Sequence, residues 1–344
     1  MQVLIINIAL NLIQTLQKNI SLVLTIFTTT IFSSHATQAS EKPILPLVAI
    51  TQIVQHGALD DEFKGIVTAL EEAGYIDGKT IHLVSQNAQG NIATAGLIAT
   101  NFASRNPNAV VAISTPSAQT LIKPLQDQHI PLIFTAVTDP KEARLVSTLD
   151  ERLEEVTGVS DALLPGPQLD LIQKFVPQVK TIGIIYNSGE INSIKTIEGL
   201  KEEAKRRGLT LLLAVADKSS EVIPAVTKLI GKVESIYVPN DNTAVASIES
   251  IVTLGKKFKV PIFAGDSGSV ERGAVASQAY ERIALGKEAG RLVVKILEGQ
   301  KAGDLKIKTN HPLVLMLNLN SAKEMGMTIP EELKKEAKIV GEKS

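Results

Sequence analysis

The sequence predicts an α/β protein built from parallel sheets covered by helices. Three observations predict it. Short apolar runs bounded by turn signals alternate with amphipathic stretches of about a dozen residues, which is the pattern of βαβ units. The pattern then begins again: Val48 to Ile182 is 134 positions, and the helix-stopping Gly74 to Gly208 is also 134. Two copies of one unit suggest two similar lobes rather than one wide sheet. The 344-residue length suits two domains on a prior of roughly 100–200 residues each.

The elements follow in order. "LPLVAITQIV" is a continuous apolar run. "DDEFKGIVTALEEAG" has helical spacing at Phe63, Ile66, Val67 and Leu70 and stops at Gly74. "TIHLVS" reads as a strand, "IATAGLIATNFASR" as a helix, "AVVAIS" as a strand, "PSAQTLIKPLQDQ" as a helix and "IPLIFTAV" as a strand. In the second copy "KTIGIIYN" repeats the opening strand, "SIKTIEGLKEEAKRRG" the amphipathic helix and "LTLLLAVA" the second strand. It continues through "SIYVP", the helix "AVASIESIVTLGKKF", the strand "VPIFAG", the helix "ALGKEAGRLVVKILEG", the strand "PLVLMLNL" and a lysine-rich amphipathic end. The charged "STLDERLEEVTGVSD" is the only candidate boundary, so crossing segments are expected to join the lobes closely.

Composition narrows the function. Net charge is −1, giving no electrostatic footprint for nucleic acid or anionic lipid. There is no Trp, with only eight Phe and four Tyr, so the stacking platforms of sugar or single-strand nucleic-acid binders are scarce. Lys18 is the only charged residue before Glu41; the apolar run Ile20–Phe32 follows, and then small residues at Ser34/Ala36 and Thr37/Ala39. A positive start, a short apolar core and an A-x-A-like site predict a cleaved secretory signal over residues 1–39. Residues 1–17 are also apolar, which fits either an anchored helical hairpin or a start codon assigned too early. With no cysteine there is no disulfide, thiol nucleophile, thiolate metal site or lipoprotein anchor. An exported, unlipidated chain is expected in a periplasm.

Polar residues gather at the carboxyl ends of the strands. Thr51, Gln52, Gln55 and His56 follow the first; Thr115 and Ser117 follow "AVVAIS"; Thr138 and Asp139 follow "IPLIFTA". In the second copy Tyr186 and Asn187 lead into Glu190, Asn192 and Ser193, "SIYVP" into Asn240, Asp241, Asn242 and Thr243, and "PIFAG" into Asp266. In open α/β sheets that edge is where ligands sit, beside helix N-termini. Ser, Thr, Asp and Asn are also the preferred N-caps, and Thr115 before Pro116 and Asp139 before Pro140 read first as caps. One cap satisfies one or two backbone amides, whereas "NDNT" and "SGEINS" offer more groups than that. If the halves face each other, six such clusters converge on one cleft.

Other chemistry is not supported. "GYIDGKT" lacks the phosphate-loop spacing and follows a helix rather than a strand. His56, His82, His129 and His311 are scattered, so no metal site is expected. Arg206/Arg207 and Lys256/Lys257 read as solvated late-helix charges.

"VAITQIVQHGALD", "AISTPSAQ", "PLIFTAVTDP", "GIIYNSGEINS", "IYVPNDNT", "AGDSGSVERGAVA" and the ending "LNLNSAKEMGMTIPEEL" resemble the TrpX-like substrate-binding proteins of ABC transporters, from about Leu47 to Lys338. That family takes up tryptophan or related aromatic amino acids. The resemblance implies a type I periplasmic-binding fold: two Rossmann-like lobes with parallel sheets, three hinge crossings and a cleft that closes on the ligand. It places one lobe at residues 43–157 plus about 278–311, and the other at 158–277 plus about 312–344. The chain departs from the family pattern at "QAYERIALG", where Glu281, Arg282 and Ile283 stand in place of an Asp-Tyr-Tyr stretch.

For an amino-acid ligand, hydroxyls and amides at helix N-termini suit the carboxylate, which points to Thr115, Ser117, Asn192 and Ser193. Asp241, then Glu190, then Asp266 are candidates for the ammonium. Tyr186, Ile53 and Leu59 would rim an apolar pocket, with Gln52 and Asn242 completing the hydrogen bonding. No cofactor, metal or catalytic residue is expected, and the chain reads as a monomer that docks on an ABC permease with its cytoplasmic ATPase. Alternatives are a receptor feeding a sensor or chemoreceptor, and an α/β enzyme with Asp241 and Asp266 as an acid/base pair. A sugar-responsive repressor core shares the fold, but an export signal stands where its DNA-binding motif would be.

Overall fold

The computed structural model describes Ile5 and residues 8–17, 44–147, 155–309 and 311–341. Leu45–Ser344 forms one compact unit and the segment up to Ile44 another. In that first segment residues 8–17 are helical and exposed. The expected signal core Ile20–Phe32 and the sites at Ala36 and Ala39 lie outside the described residues. Among the described residues no helix is long and apolar enough to cross a membrane.

The main unit holds two sheets. The first contains β1 (Leu47–Gln52), β2 (His82–Asn87), β3 (Ala109–Ile113), β4 (Leu132–Val137) and β5 (Val156–Ser160) in the order β2-β1-β3-β4-β5, all parallel. Helices α1 (Gly57–Glu72), α2 (Ile92–Ser104) and α3 (Thr115–Gln126) link its first four strands. The second half runs α4 (Pro165–Phe175), β6 (Thr181–Tyr186), α5 (Ile191–Arg207), β7 (Thr210–Val215), α6 (Ser219–Leu229) and β8 (Ser235–Val238). It goes on through α7 (Asn242–Ala246), α8 (Ile248–Phe258), β9 (Ile262–Ala264), α9 (Ser267–Glu271), β10 (Ala276–Tyr280) and α10 (Arg282–Leu297). The chain closes with β11 (Leu313–Asn318), α11 (Leu319–Glu324), α12 (Glu331–Glu336) and β12 (Lys338–Val340). The second sheet has the order β12-β11-β10-β9-β8-β6-β7, antiparallel only at β10/β11.

The repeat seen in the sequence is a repeat of topology. β1 lies between β2 and β3 as β6 lies between β7 and β8, and Val48 and Ile182 occupy matching places in those central strands. Gly74 and Gly208 both take the left-handed conformation after their helices, with φ of 86° and 67°, which glycine adopts at no steric cost. Buried on both faces, such strands need the near-continuous Val/Ile/Ala runs that the sequence supplies.

The described residues form two cores. The first runs from Val48 to Val159 and takes in Leu285, Ala289, Leu292, Val293 and Ile296 of α10. The second runs from Leu169 to Ala276 and takes in Met316, Leu317 and Leu333. The chain passes between them three times: between Val159 and Leu169, within β10 between Ala276 and Tyr280, and between Ala302 and Met316. The expected boundary at 157/158 falls inside β5, whose pairing with β4 extends to Ser160; the first crossing therefore follows that strand. "STLDERLEEVTGVSD", read only as a boundary, thus ends in a buried strand. The helix expected over 244–258 breaks at Ser247, whose φ of −110° and ψ of 18° separate α7 from α8. The lysine-rich end adds an unforeseen strand, β12, at the sheet edge.

Helices α1 and α10 meet through glycine. A Cβ on Gly286 would run into the backbone of Glu62, one on Gly65 would lie 2.9 Å from Gly286 Cα, and one on Gly290 would lie 2.7 Å from Ile66 O. This backbone contact sets Glu62 and Arg282, each about a turn before its glycine, side by side. Gly286→Ala should lower the unfolding free energy by about 1–3 kcal/mol through overpacking. Gly96→Ala, a helical position whose Cβ meets nothing within 4 Å, should be neutral or stabilising by up to about 1 kcal/mol. Urea denaturation of the two variants measures the contrast.

Candidate ligand-binding site

The strand ends of the second half are stitched to one another. Asp241 caps α7 by accepting from Ala244 N at 2.8 Å, and its other oxygen accepts from Asn187 N and from the Ser193 hydroxyl, both at 2.6 Å. Glu190 precedes α5 yet makes no side-chain cap. Its carboxyl instead accepts from Asn242 Nδ2 at 2.5 Å, Asn242 N at 3.2 Å and Asn192 Nδ2 at 3.1 Å. Asn192 Nδ2 also donates to Asn240 O at 2.9 Å, and Asn187 Nδ2 to Thr243 Oγ1 at 2.9 Å. Burial pushes the Glu190 carboxyl up, to about 7, with repulsion from Asp241 adding to it against the hydrogen bonds from Asn242 and Asn192. Burial also raises Asp241, opposed by its hydrogen bonds from Asn187 and Ser193.

The first half contributes charge and strain. Ser114, ahead of α3, sits at φ 93° and ψ 153°, a region nearly confined to glycine and costing on the order of 1–3 kcal/mol. Ala136 has a φ of 51° where the β4/β5 register shifts, a bulge of the kind that bends a strand locally. Behind it Arg282, 5% exposed, donates through Nη1 to Glu62 Oε1 at 2.9 Å and Asp161 Oδ2 at 2.7 Å. Glu62 also accepts from Thr135 Oγ1 at 2.5 Å, and Asp161 from Thr138 Oγ1 and Asn240 Nδ2, both at 3.1 Å. Burial would depress the Arg282 pKa, but Asp161 and Glu62 outweigh it and hold it above its usual value. Burial raises Glu62 to about 7 against the attraction of Arg282. It lowers His56 to about 4 despite nearby Asp266, so the ring is neutral at pH 7.

These groups line two neighbouring features between the cores. A narrow chamber with about 20 Å³ of free space is walled by His56, Asp161, Asn192, Asn240, Asp266 and Arg282, with Leu59, Ala136, Asp241 and Asn242 beside them. A wider cleft of about 600 Å³ has Ile53, Val54, Ile92 and Pro116 on one wall and Asn187, Glu190, Asp217 and Thr243 on the other; Asn242 borders both. Several buried polar atoms of the chamber residues have no hydrogen-bond partner: both His56 nitrogens, Asn192 Oδ1, Asn240 Oδ1 and Arg282 Nε. Buried polar groups are seldom left so, and such a cluster suits a small polar guest.

Of the expected site residues, the structure brings His56, Asn192, Asn240, Asp241, Asn242 and Asp266 to the chamber, and Asn187 and Glu190 to the cleft. Others serve elsewhere. Gln52 donates to Asp60 Oδ1 at 3.0 Å and lines a groove with Phe63 and Gln86 that shares no residue with the chamber or cleft. Ser117 is buried against Ser114 at 3.4 Å. Tyr186 is half-buried against the second core. Thr138 turns to Asp161, and Asp139 caps a turn by accepting from the Lys141 and Glu142 amides at 3.0 Å. The cap expected at Thr115 is one residue out: Ser114 is the N-cap and Thr115 the first helical residue. Asp241 and Asp266 are both N-caps, Asp266 accepting from Ser269 N at 2.8 Å and its hydroxyl at 2.6 Å.

Asp161 and Glu62 were not expected from the sequence, and Arg282 stood there only as a departure from the family pattern, though a signal existed. Glu62 falls on the apolar stripe of Leu59, Ile66 and Leu70, and Arg282 on that of Leu285, Ala289 and Leu292. Opposite charges on two buried stripes point to a pair.

Two Rossmann-like lobes, crossed three times and enclosing a polar cleft at their strand ends, define a two-lobed small-ligand receptor. The family model described as ABC transporter substrate binding protein matches residues 47–340. A tyrosine-binding protein of Clostridioides difficile is 38% identical over 280 residues, covering 81% of each chain. A Streptococcus pneumonia ABC domain solved in complex with L-Trp is 34% identical with a TM-score of 0.82, covering 86% of this chain and 99% of its own. The ligand-free, open structure of a Clostridium difficile substrate binding protein with adhesive properties is 37% identical with a TM-score of 0.65, covering 87% and 100%. The chain belongs to the ABC transporter substrate-binding protein family.

Glu190 gives the site a pH signature. Its folded pKa of about 7 exceeds the ordinary carboxyl value of 4.5, so the folded state binds the proton more tightly. The associated stability is complete below about pH 4.5 and is lost as pH rises through about 7. Glu190→Gln lacks this dependence, so its stability relative to the parent should improve from pH 5 to pH 8. Chemical denaturation at several pH values tests it, and a pH-independent difference contradicts it.

Proposed function

We propose that the chain is the periplasmic solute receptor of an ABC importer, that it takes an aromatic amino acid into the cleft between its lobes, and that it presents the closed complex to a membrane permease with its ATPase. The observation that carries this reading is the group of unpartnered buried polar atoms between the cores, beside a cleft with an apolar wall of Ile53, Val54, Ile92 and Pro116. The binding of tyrosine by one relative and of L-Trp by another supports an aromatic amino acid. The higher TM-score to the L-Trp complex than to the ligand-free, open structure, at similar identity, supports lobes drawn together. The lobes then act as hinged bodies moving about the three crossings. Because both walls contribute polar groups, ligand contact favours the closed arrangement. The protein works as a monomer, exported by a signal within residues 1–39.

A thermal-shift panel of amino acids, common sugars and short peptides tests the ligand class. Tyrosine, tryptophan or phenylalanine at about 100 times its Kd should stabilise the protein by about 2.7 kcal/mol. A response to sugars with none to amino acids refutes the reading. Because the chain has no Trp, indole emission from natively purified protein would come from carried-over ligand. N-terminal sequencing of secreted protein should find the mature chain starting after Ala36 or Ala39.

A further inference from the structure

The chamber is amphoteric in a specific way. Its unpartnered donors are on the first half: Arg282 Nε–H, with Nη1 already committed to Glu62 and Asp161, and one His56 nitrogen. Its unpartnered side-chain oxygens, both acceptors, are on the second: Asn192 Oδ1 and Asn240 Oδ1, while the other nitrogen of the neutral His56 ring is an acceptor on the first half. Neither amide can be turned round. Asn192 Nδ2 is held by Glu190 and Asn240 O, and Asn240 Nδ2 by Asp161, all acceptors, so the network fixes the oxygen as the free end of each amide.

We propose that Arg282 and His56 bind the carboxylate of the incoming amino acid while the side-chain oxygens of Asn192 and Asn240 receive its ammonium, making the chamber a reader of the free zwitterion. This rests on reading the cleft as an amino-acid site, and it moves carboxylate recognition from hydroxyls at helix N-termini to a full positive charge. The charges argue for it. Asp161 and Asp266 already outnumber the single guanidinium even with Glu62 protonated, so a lone carboxylate meets a net acidic wall. A lone amine leaves the Arg282 Nε–H and the His56 ring without partners. A zwitterion adds no net charge and pairs both sets, which is the condition for burying ions without a large desolvation penalty. Free space of about 20 Å³ is roughly one water. The head group therefore enters with the lobes further apart, and the side chain lies in the adjoining 600 Å³ cleft. Arg282 is also the position where the chain leaves the Asp-Tyr-Tyr pattern, so this grip is a property of this chain's own residues.

The test is calorimetric titration of the full mature chain with L-tyrosine and L-tryptophan, each beside its carboxamide and its N-acetyl derivative. The parent protein should prefer the free amino acid over either derivative by about 100-fold. In Arg282→Gln the affinity for the free amino acid should fall by about 100-fold while that for the carboxamide changes by less than about fivefold. If Arg282→Gln does not fold, Arg282→Lys keeps a charge for Glu62 and Asp161, and the double variant Glu62→Gln/Arg282→Gln removes the pair together. In each, the free-acid preference should drop by at least about tenfold. A parent that binds acid and amide alike, or variants that weaken both equally, overturn the zwitterion reader and leave the receptor reading intact. Binding of no amino acid at all overturns both.

Discussion

A guanidinium that is 5% exposed can remain charged only where its partners are fixed, and Arg282 imposes that requirement on the middle of the molecule. Removing one member of such a pair is strongly destabilising, by about 3–5 kcal/mol, because the other is left as an uncompensated buried charge. The partners come from far apart: Glu62 from α1, Asp161 from the segment just after β5, and Arg282 from the first residue of α10. Thr135 of β4 steadies Glu62, while Thr138 and Asn240 steady Asp161. Two of the three crossing segments thus start or end at this cluster. The contact between α1 and α10 at Gly65, Gly286 and Gly290 brings the charges within reach, so small residues and buried ions are parts of one device.

The same topology appears twice, but the two halves use their strand ends differently. In the second half the polar side chains satisfy one another: Asp241 joins Asn187, Ser193 and Ala244, and Glu190 joins Asn192 and Asn242. This network sets where the amide oxygens of Asn192 and Asn240 point. In the first half the strand ends carry strain at Ser114 and a bulge at Ala136, and the charge behind them is supplied by helices. A wall of mutually bonded side chains, carboxylates among them, thus faces one backed by an ion cluster. Backbone outliers persist where surrounding structure over-determines them, and here the β4/β5 bulge and the ion cluster do so.

The fold was legible because its signal is local. Runs such as "AVVAI" and "TIGIIY" are buried on both faces and read directly as parallel strands, and the 134-residue offset shows the duplication. The gathering of polar side chains at the candidate site was legible too, since polar residues at strand ends follow from sheet geometry. Which of them stay free was not. Asn240 and Asp241 look equivalent in "NDNT", yet Asp241 is fully engaged while Asn240 Oδ1 has no partner. That depends on contacts about 50 residues away. The Glu62–Arg282 pair spans 220 residues, and only the helix contact makes it. β12 and the break at Ser247 depend likewise on tertiary pairing rather than local propensity.

The cross-lobe contacts also bear on how such a site works. Asp161 with Asn240 and Lys195 with Glu142, at 3.1 and 3.3 Å, both join the first core's side to the second's. The first is a charge-assisted hydrogen bond beside the chamber; the second is an open surface ion pair, of a kind that contributes little. Neither closes the lobes with a large apolar face. Beside them Gly268 packs against Gly57 and Ala58 across the lobes; under the proposed function a small ligand decides between open and closed states that lie near in free energy. The unpartnered atoms at the chamber supply the difference: they cost free energy when the walls meet without a guest, and the cost is removed when a molecule bonds to both walls. On that logic the unsatisfied groups are what couples occupancy of the site to the position of the lobes.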